Sequence, residues 1–111
     1  MSPPLRSWEH IEALREALNE GVIDCIATDH APHHLESKDC EYVLASPGIS
    51  GLETAVALIM NELVHTGILD IERMVSLFTT GPAGILGLDR GTLTPGKMAD
   101  ITLLDPNMVR I

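Results

Sequence analysis

A chain of 111 residues with 7 basic against 16 acidic side chains, net charge -9, is one domain's worth of sequence. That balance gives no electrostatic case for a nucleic-acid partner or an anionic membrane surface, both of which need clustered Lys and Arg. The 45% hydrophobic content excludes a disordered chain, and with 3% aromatic residues the core must be filled by Leu, Ile, Val, Ala and Met.

The N-terminal "SPPLRS" reads as an extended lead-in, because Pro3 and Pro4 have no N–H and disfavour helix before them. Ser7 is placed to cap a helix in which Trp8, Ile11, Leu14, Ala17 and Leu18 recur at helical spacing, with Gly21 as its stop. Residues 22–28, "VIDCIAT", are a short β-branched apolar run, expected to form the buried strand of an αβ unit. Cys25 within it is read as a small core residue. Cys25 and Cys40 form no C-x-x-C pair and are too few for a disulfide framework, so both are taken as reduced thiols in a cytoplasmic protein. The N-terminus has no apolar signal-peptide core, and no apolar stretch is expected to span a membrane.

From His33 to Ser50 there is little periodicity and several turn formers, so a long loop is expected, of the kind that serves a site. Ser50-Gly51-Leu52-Glu53 fits a capping box opening a helix with Leu52, Ala55, Val56, Ile59 and Leu63 on one face. Asp70 caps another, striped by Ile71, Met74, Val75 and Phe78. A third, short helix starts at Thr80-Gly81-Pro82 and stops at Gly87. Beyond Gly87 the chain turns to β character, with strands expected at Thr92-Leu93 and residues 99–104 between turn signals.

The chemistry concentrates in "TDHAPHH", where Asp29, His30, His33 and His34 follow the apolar run. In α/β architectures, sites gather at the carboxyl end of a parallel strand. A carboxylate there can ligate a metal or act as a general base. Pro32 stiffens the turn and limits the wander of His33. The residues alone leave a plain reading open too, with Asp29 capping a turn and the histidines simply solvated. A self-contained zinc site with Cys25 or Cys40 is disfavoured, because structural zinc draws four ligands from paired knuckles and here there is one cluster.

The order of motifs carries more. "PPLRS", "IDCIATDHAPH", "PGISGLETA", "GPAGILGL" and "GTLTPGKMADITLLD" together resemble the C-terminal part of a class I dihydroorotase, in the amidohydrolase superfamily. Allantoinases and hydantoinases, which usually vary at the "APH" and "GLET" segments, rank second. The resemblance implies an α/β fold: the final portion of a (β/α)8 metal-dependent hydrolase barrel over residues 1–87, and part of a small flanking β domain over 88–111.

Residue by residue, the resemblance makes Asp29 the carboxylate at the end of the eighth barrel strand, which binds one of two zinc ions and shuttles the catalytic proton. It makes His33 the partner of the substrate carboxylate, and gives Pro47 and Gly48 the loop backbone that completes the substrate pocket. Ser2 stands where the family often has an asparagine contacting substrate. His30 and His34 have no assigned role in that pattern; His34 is read as solvated, and His30 as at most supporting the residues that touch substrate. The implied substrates are dihydroorotate and N-carbamoyl-L-aspartate, in pyrimidine biosynthesis. The family's His-x-His, its bridging carboxylated lysine and two further zinc-binding histidines have no counterpart in these 111 residues. The chain alone is therefore expected to be inactive and not to hold Zn2+. It is expected to pair with an N-terminal barrel half or to self-associate. An alternative is a non-catalytic assembly partner of aspartate transcarbamoylase.

Overall fold

The structure is a computed structural model that describes residues 2–108. Four α-helices form: α1 (Trp8–Asn19), α2 (Ala55–Ile59), α3 (Ile71–Phe78) and α4 (Thr80–Ile85). A 3-10 turn covers Leu35–Ser37, and α2 runs on into a π-helical turn over Met60–Val64.

Ser7 is the N-cap residue of α1, but its hydroxyl meets His10 Nδ1 at 2.8 Å rather than a backbone amide. At the far end Gly21 takes φ +78°, and the Val22 amide returns to the Ala17 carbonyl at 2.9 Å, so the chain reverses there. The α3 cap forms as its sequence predicts. The Asp70 carboxylate accepts from the Arg73 amide at 2.6 Å, which satisfies one of the helix's free N-terminal donors. Gly87, at φ +64°, follows the end of α4.

The core is where the helices meet. Leu18 of α1, Leu63 of the π turn, Leu77 of α3 and Leu69, which lies just ahead of α3, pack as one buried cluster, with Ile23, Ile26, Ile59 and Ile68 against it. Met60, Met74 and Ala83 are buried as well. Leu77 is fully enclosed, at 0% exposure.

Two expectations need correction. The first is the strands. Residues 22–28, Thr92-Leu93 and 99–104 run without a ladder, and the one β pairing among the described residues is an isolated parallel bridge between His30 and Ile49. β-branched composition supplies the propensity, but a strand exists only when a neighbour supplies its hydrogen bonds. Residues 22–28 instead hydrogen-bond sideways to α3. The Ile26 amide donates to the Leu77 carbonyl at 3.0 Å, and Arg73 Nη2 donates to the Ile23 carbonyl at 2.8 Å. Cys25, accordingly, is half-buried rather than core. Residues 99–104 keep the period of an extended chain. Asp100, Thr102 and Leu104 line a cleft with Met74, Val75 and Phe78 of α3, while Leu103 is 94% exposed. Of the expected β segment 88–111, residues 109–111 lie outside the described residues.

The second correction is the helix start. Ser50 does not cap a helix; α2 begins at Ala55, with Thr54 as its N-cap residue. The amides of Gly51 and Leu52 are already committed to a side chain from the turn.

Several apolar faces are left uncovered. On α1 only Leu18 is buried, while Trp8, Ile11 and Leu14 are exposed. The described surface of 8961 Å² compares with roughly 6,000 Å² for a compact monomer of 12.0 kDa. The radius of gyration, 16.6 Å, likewise exceeds the roughly 13 Å of a compact domain this long. These helices do not close a core on every side.

Candidate active site

The turn at residues 28–33 is built to present Asp29. Its backbone has φ +46°, the left-handed region, and it is the one non-glycine residue there among those described. Asp tolerates that conformation better than a β-branched residue does, yet it remains costly, and such strain gathers where a side chain must be aimed. The strain is held on both sides. The His30 amide donates to Thr28 Oγ1 at 3.2 Å, and the Ala31 amide donates to the Ile49 carbonyl at 2.9 Å. Asp29 is exposed.

Across from it lies the second arm. Gly48 packs so tightly that a β-carbon there would fall 2.5 Å from both Ala31 Cβ and the Ala31 carbonyl oxygen. The same β-carbon would stand 2.7 Å from His33 Nε2. Only glycine lets the loop approach the turn this closely. The long loop between the two arms closes on itself, with the Ser46 amide donating to the Ser37 carbonyl at 2.9 Å.

The structure thus brings together the turn bearing Asp29 and His33 and the loop bearing Pro47 and Gly48. It does not bring Ser2 in. Ser2 is exposed in the lead-in, and no hydrogen bond among the described residues joins it to the turn. His34 is exposed, and it is its backbone carbonyl, not its ring, that accepts from the Ser37 amide and hydroxyl.

Two further side chains hold the loop: His30, which the sequence placed at most behind the substrate contacts, and Lys38, which it did not single out. His30 Nδ1 accepts from the Gly51 and Leu52 amides at 3.0 and 3.1 Å. Lys38 Nζ donates to the Ser46 carbonyl at 2.6 Å and also to the Gly48 carbonyl. No local pattern announces either, since both partners lie far along the chain and are backbone atoms.

A metal centre does not assemble from these residues. Among those described, no three His, Cys, Asp or Glu side chains converge as a ligand set. Asp29 is an available oxygen ligand, but one carboxylate does not hold an ion. No described helix is long and apolar enough to cross a membrane.

Comparison with known proteins shows the family. The model of the amidohydrolase family matches residues 3–111. A dihydroorotase of Elusimicrobium minutum is 53% identical over 107 residues, 96% of this chain and 25% of the relative. One of Geobacter sp. strain M21 is 54% identical over 106 residues, again 96% of this chain and 25% of the relative. The chain therefore spans about a quarter of the length of the curated relatives it matches. Among solved structures, a D-hydantoinase (dihydropyrimidinase) from Thermus sp. superposes with TM-score 0.80 at 36% identity, over 89% of this chain and 23% of that one. That likeness supports the coarse architecture expected from sequence, a portion of a metal-dependent hydrolase barrel.

Proposed function

The chain belongs to the amidohydrolase family, and from that premise we propose that it forms the acid–base corner of a dihydroorotase active site. The reaction is the reversible ring closure of N-carbamoyl-L-aspartate to dihydroorotate in pyrimidine biosynthesis, in the cytoplasm. The observation that carries the proposal is the pairing of a strained, exposed Asp29 with His33 lodged against Gly48. The dihydroorotase relatives, at 53 and 54% identity across nearly the whole chain, support the substrate class.

In the hydrolytic direction an oxygen from water bonds to the ring carbonyl carbon and the ring C–N bond breaks. One proton must leave the water and one must reach the departing nitrogen. A carboxylate at Asp29 can take the first and return it as the second, the role of a general base that becomes a general acid. His33 offers a ring nitrogen to the substrate's carboxylate beside the backbone of Pro47 and Gly48, and so fixes the ring relative to Asp29. Ser2 is kept as a further substrate contact in the assembled enzyme. Amidohydrolases generally use a metal. Zinc belongs to this proposal for the assembled barrel, with Asp29 as one ligand, and since the described residues supply no complete ligand set no step is built on it. Residues 1–87 would then belong to the barrel and 88–111 to a flanking β domain.

The bare apolar faces call for a partner. The remainder of the barrel is the proposed occupant, with self-association when the chain is alone. Aspartate transcarbamoylase is a further candidate partner.

The test supplies the rest of the barrel, fused or in trans, and follows dihydroorotate hydrolysis. Asp29→Asn should cut turnover by ~10²–10⁴-fold, and His33→Ala should chiefly raise KM. An assembled enzyme that keeps most of its activity as Asp29→Asn would refute the assignment. The hydantoinase neighbour motivates one competing substrate class. Dihydrouracil lacks the carboxylate, so a dihydropyrimidinase would turn it over and would be indifferent to His33→Ala.

A further inference from the structure

Two side chains of opposite hydrogen-bonding sense grip the loop that carries Pro47 and Gly48. From the turn, His30 Nδ1 accepts from the Gly51 and Leu52 amides. From the loop's other limb, half-buried Lys38 donates to the carbonyls of Ser46 and Gly48. Between the two grips, the Ile49 carbonyl accepts from the Ala31 amide. We propose that His30 and Lys38 are positioning residues that set Gly48 against His33 and thereby gauge the pocket for a substrate carboxylate. The pocket's substrate rests on the functional reading above; the grip itself does not.

The location of the two side chains sets positioning apart from general stability. Neither side chain enters the buried cluster, which is built wholly of apolar residues. What they fix is a loop whose approach to the turn has no slack. With Gly48 already at the limit of contact with Ala31 and His33, displacement of the loop in either direction changes the space beside His33 Nε2 directly.

The two grips also have defined chemistry. A ring nitrogen that accepts from two amides carries no proton, so the His30 ring is assigned its hydrogen on Nε2. Lys38 brings a cation to the Gly48 backbone in a chain whose net charge is -9. An anionic substrate approaching His33 gains from that charge, which the overall balance would otherwise deny it.

The experiment uses the full chain as wild type, His30→Ala, His30→Asn, Lys38→Met and Lys38→Arg. Asparagine places Oδ1 near the position of Nδ1 and can accept in its stead; arginine keeps the charge and donors. Amide hydrogen exchange at Gly51 and Leu52 should quicken roughly two- to tenfold in His30→Ala, the loss of one ordinary hydrogen bond. It should recover in His30→Asn, while the Ile26 amide, bonded to Leu77, stays as in wild type. In the assembled enzyme, His30→Ala and Lys38→Met should raise KM for dihydroorotate roughly tenfold with kcat nearly held, and the conservative variants should restore it. Unchanged exchange at Gly51 and Leu52 in His30→Ala would overturn the grip. A KM unmoved by His30→Ala and Lys38→Met would overturn the gauging role. If the assembled wild type turns over no carboxylate-bearing ring while exchange responds as stated, the functional reading fails and the grip stands.

Discussion

Gly48 and His33 stand so close that a β-carbon on the glycine would lie 2.7 Å from the imidazole Nε2. Gly48→Ala therefore cannot be accommodated in place, because the same methyl meets Ala31 at 2.5 Å and part of that obstacle is backbone. The loop must withdraw, at a cost of about 1–3 kcal/mol, as for overpacking elsewhere. Urea unfolding should show that loss, and KM for dihydroorotate in the assembled enzyme should rise more than for His34→Ala, which leaves the pocket untouched.

Asp29 separates conformational tolerance from chemistry. At φ +46°, asparagine is accepted as readily as aspartate, whereas a β-branched residue is not. Asp29→Asn should keep stability within about 0.5 kcal/mol of wild type while cutting turnover of the assembled enzyme by ~10²–10⁴-fold. Asp29→Val should remove turnover and also lose about 1–2 kcal/mol. Thermal unfolding of the two variants side by side checks this.

Gly81 closes the other end of the same segment. A β-carbon there would collide with the Asp24 carbonyl oxygen and stand 3.1 Å from that of Ser76. Gly81→Ala should cost about 1–3 kcal/mol and push residues 22–28 away from α4. The Ile26 amide, which donates to the Leu77 carbonyl at 3.0 Å, should then exchange faster, a change readable by NMR.

Leu77 and Leu103 make a matched pair of truncations. Leu77 is fully enclosed in the core cluster, so Leu77→Ala should cost about 2–5 kcal/mol. Leu103, at 94% exposure, should tolerate alanine within about 0.5 kcal/mol in the isolated chain. A large loss from Leu103→Ala would mean that residues 99–104 are covered in solution.

The helices were legible because their signals are local. Asp70 lies next to the amide it caps, and Gly21 and Gly87 sit where a left-handed residue is needed. The turn at Asp29 was legible from an acid and histidines clustered behind an apolar run. The strands were misread because residues 22–28 display β propensity without a neighbour to pair with, and α3 takes their hydrogen bonds instead. The supposed capping box at Ser50 failed for a different reason. The helix starts only at Ala55, and ahead of it the Gly51 and Leu52 amides go to His30, 21 and 22 positions away, a long-range bond no short window reveals. Lys38 was invisible in the same way, since nothing in "ESKDC" says which carbonyls its ammonium will find.

The bare face of α1 has an optical consequence. Trp8 is the sole tryptophan of the chain, 65% exposed, with the Arg15 guanidinium 5.3 Å from its ring centroid. Its fluorescence therefore reports on one helix face, with no second indole to dilute the reading. In the lone chain the emission should be that of a hydrated indole. Docking of that face against the rest of a barrel, or against a second copy, would shift it to shorter wavelength and shield it from iodide. The chain thus carries an intrinsic, label-free gauge of its own assembly.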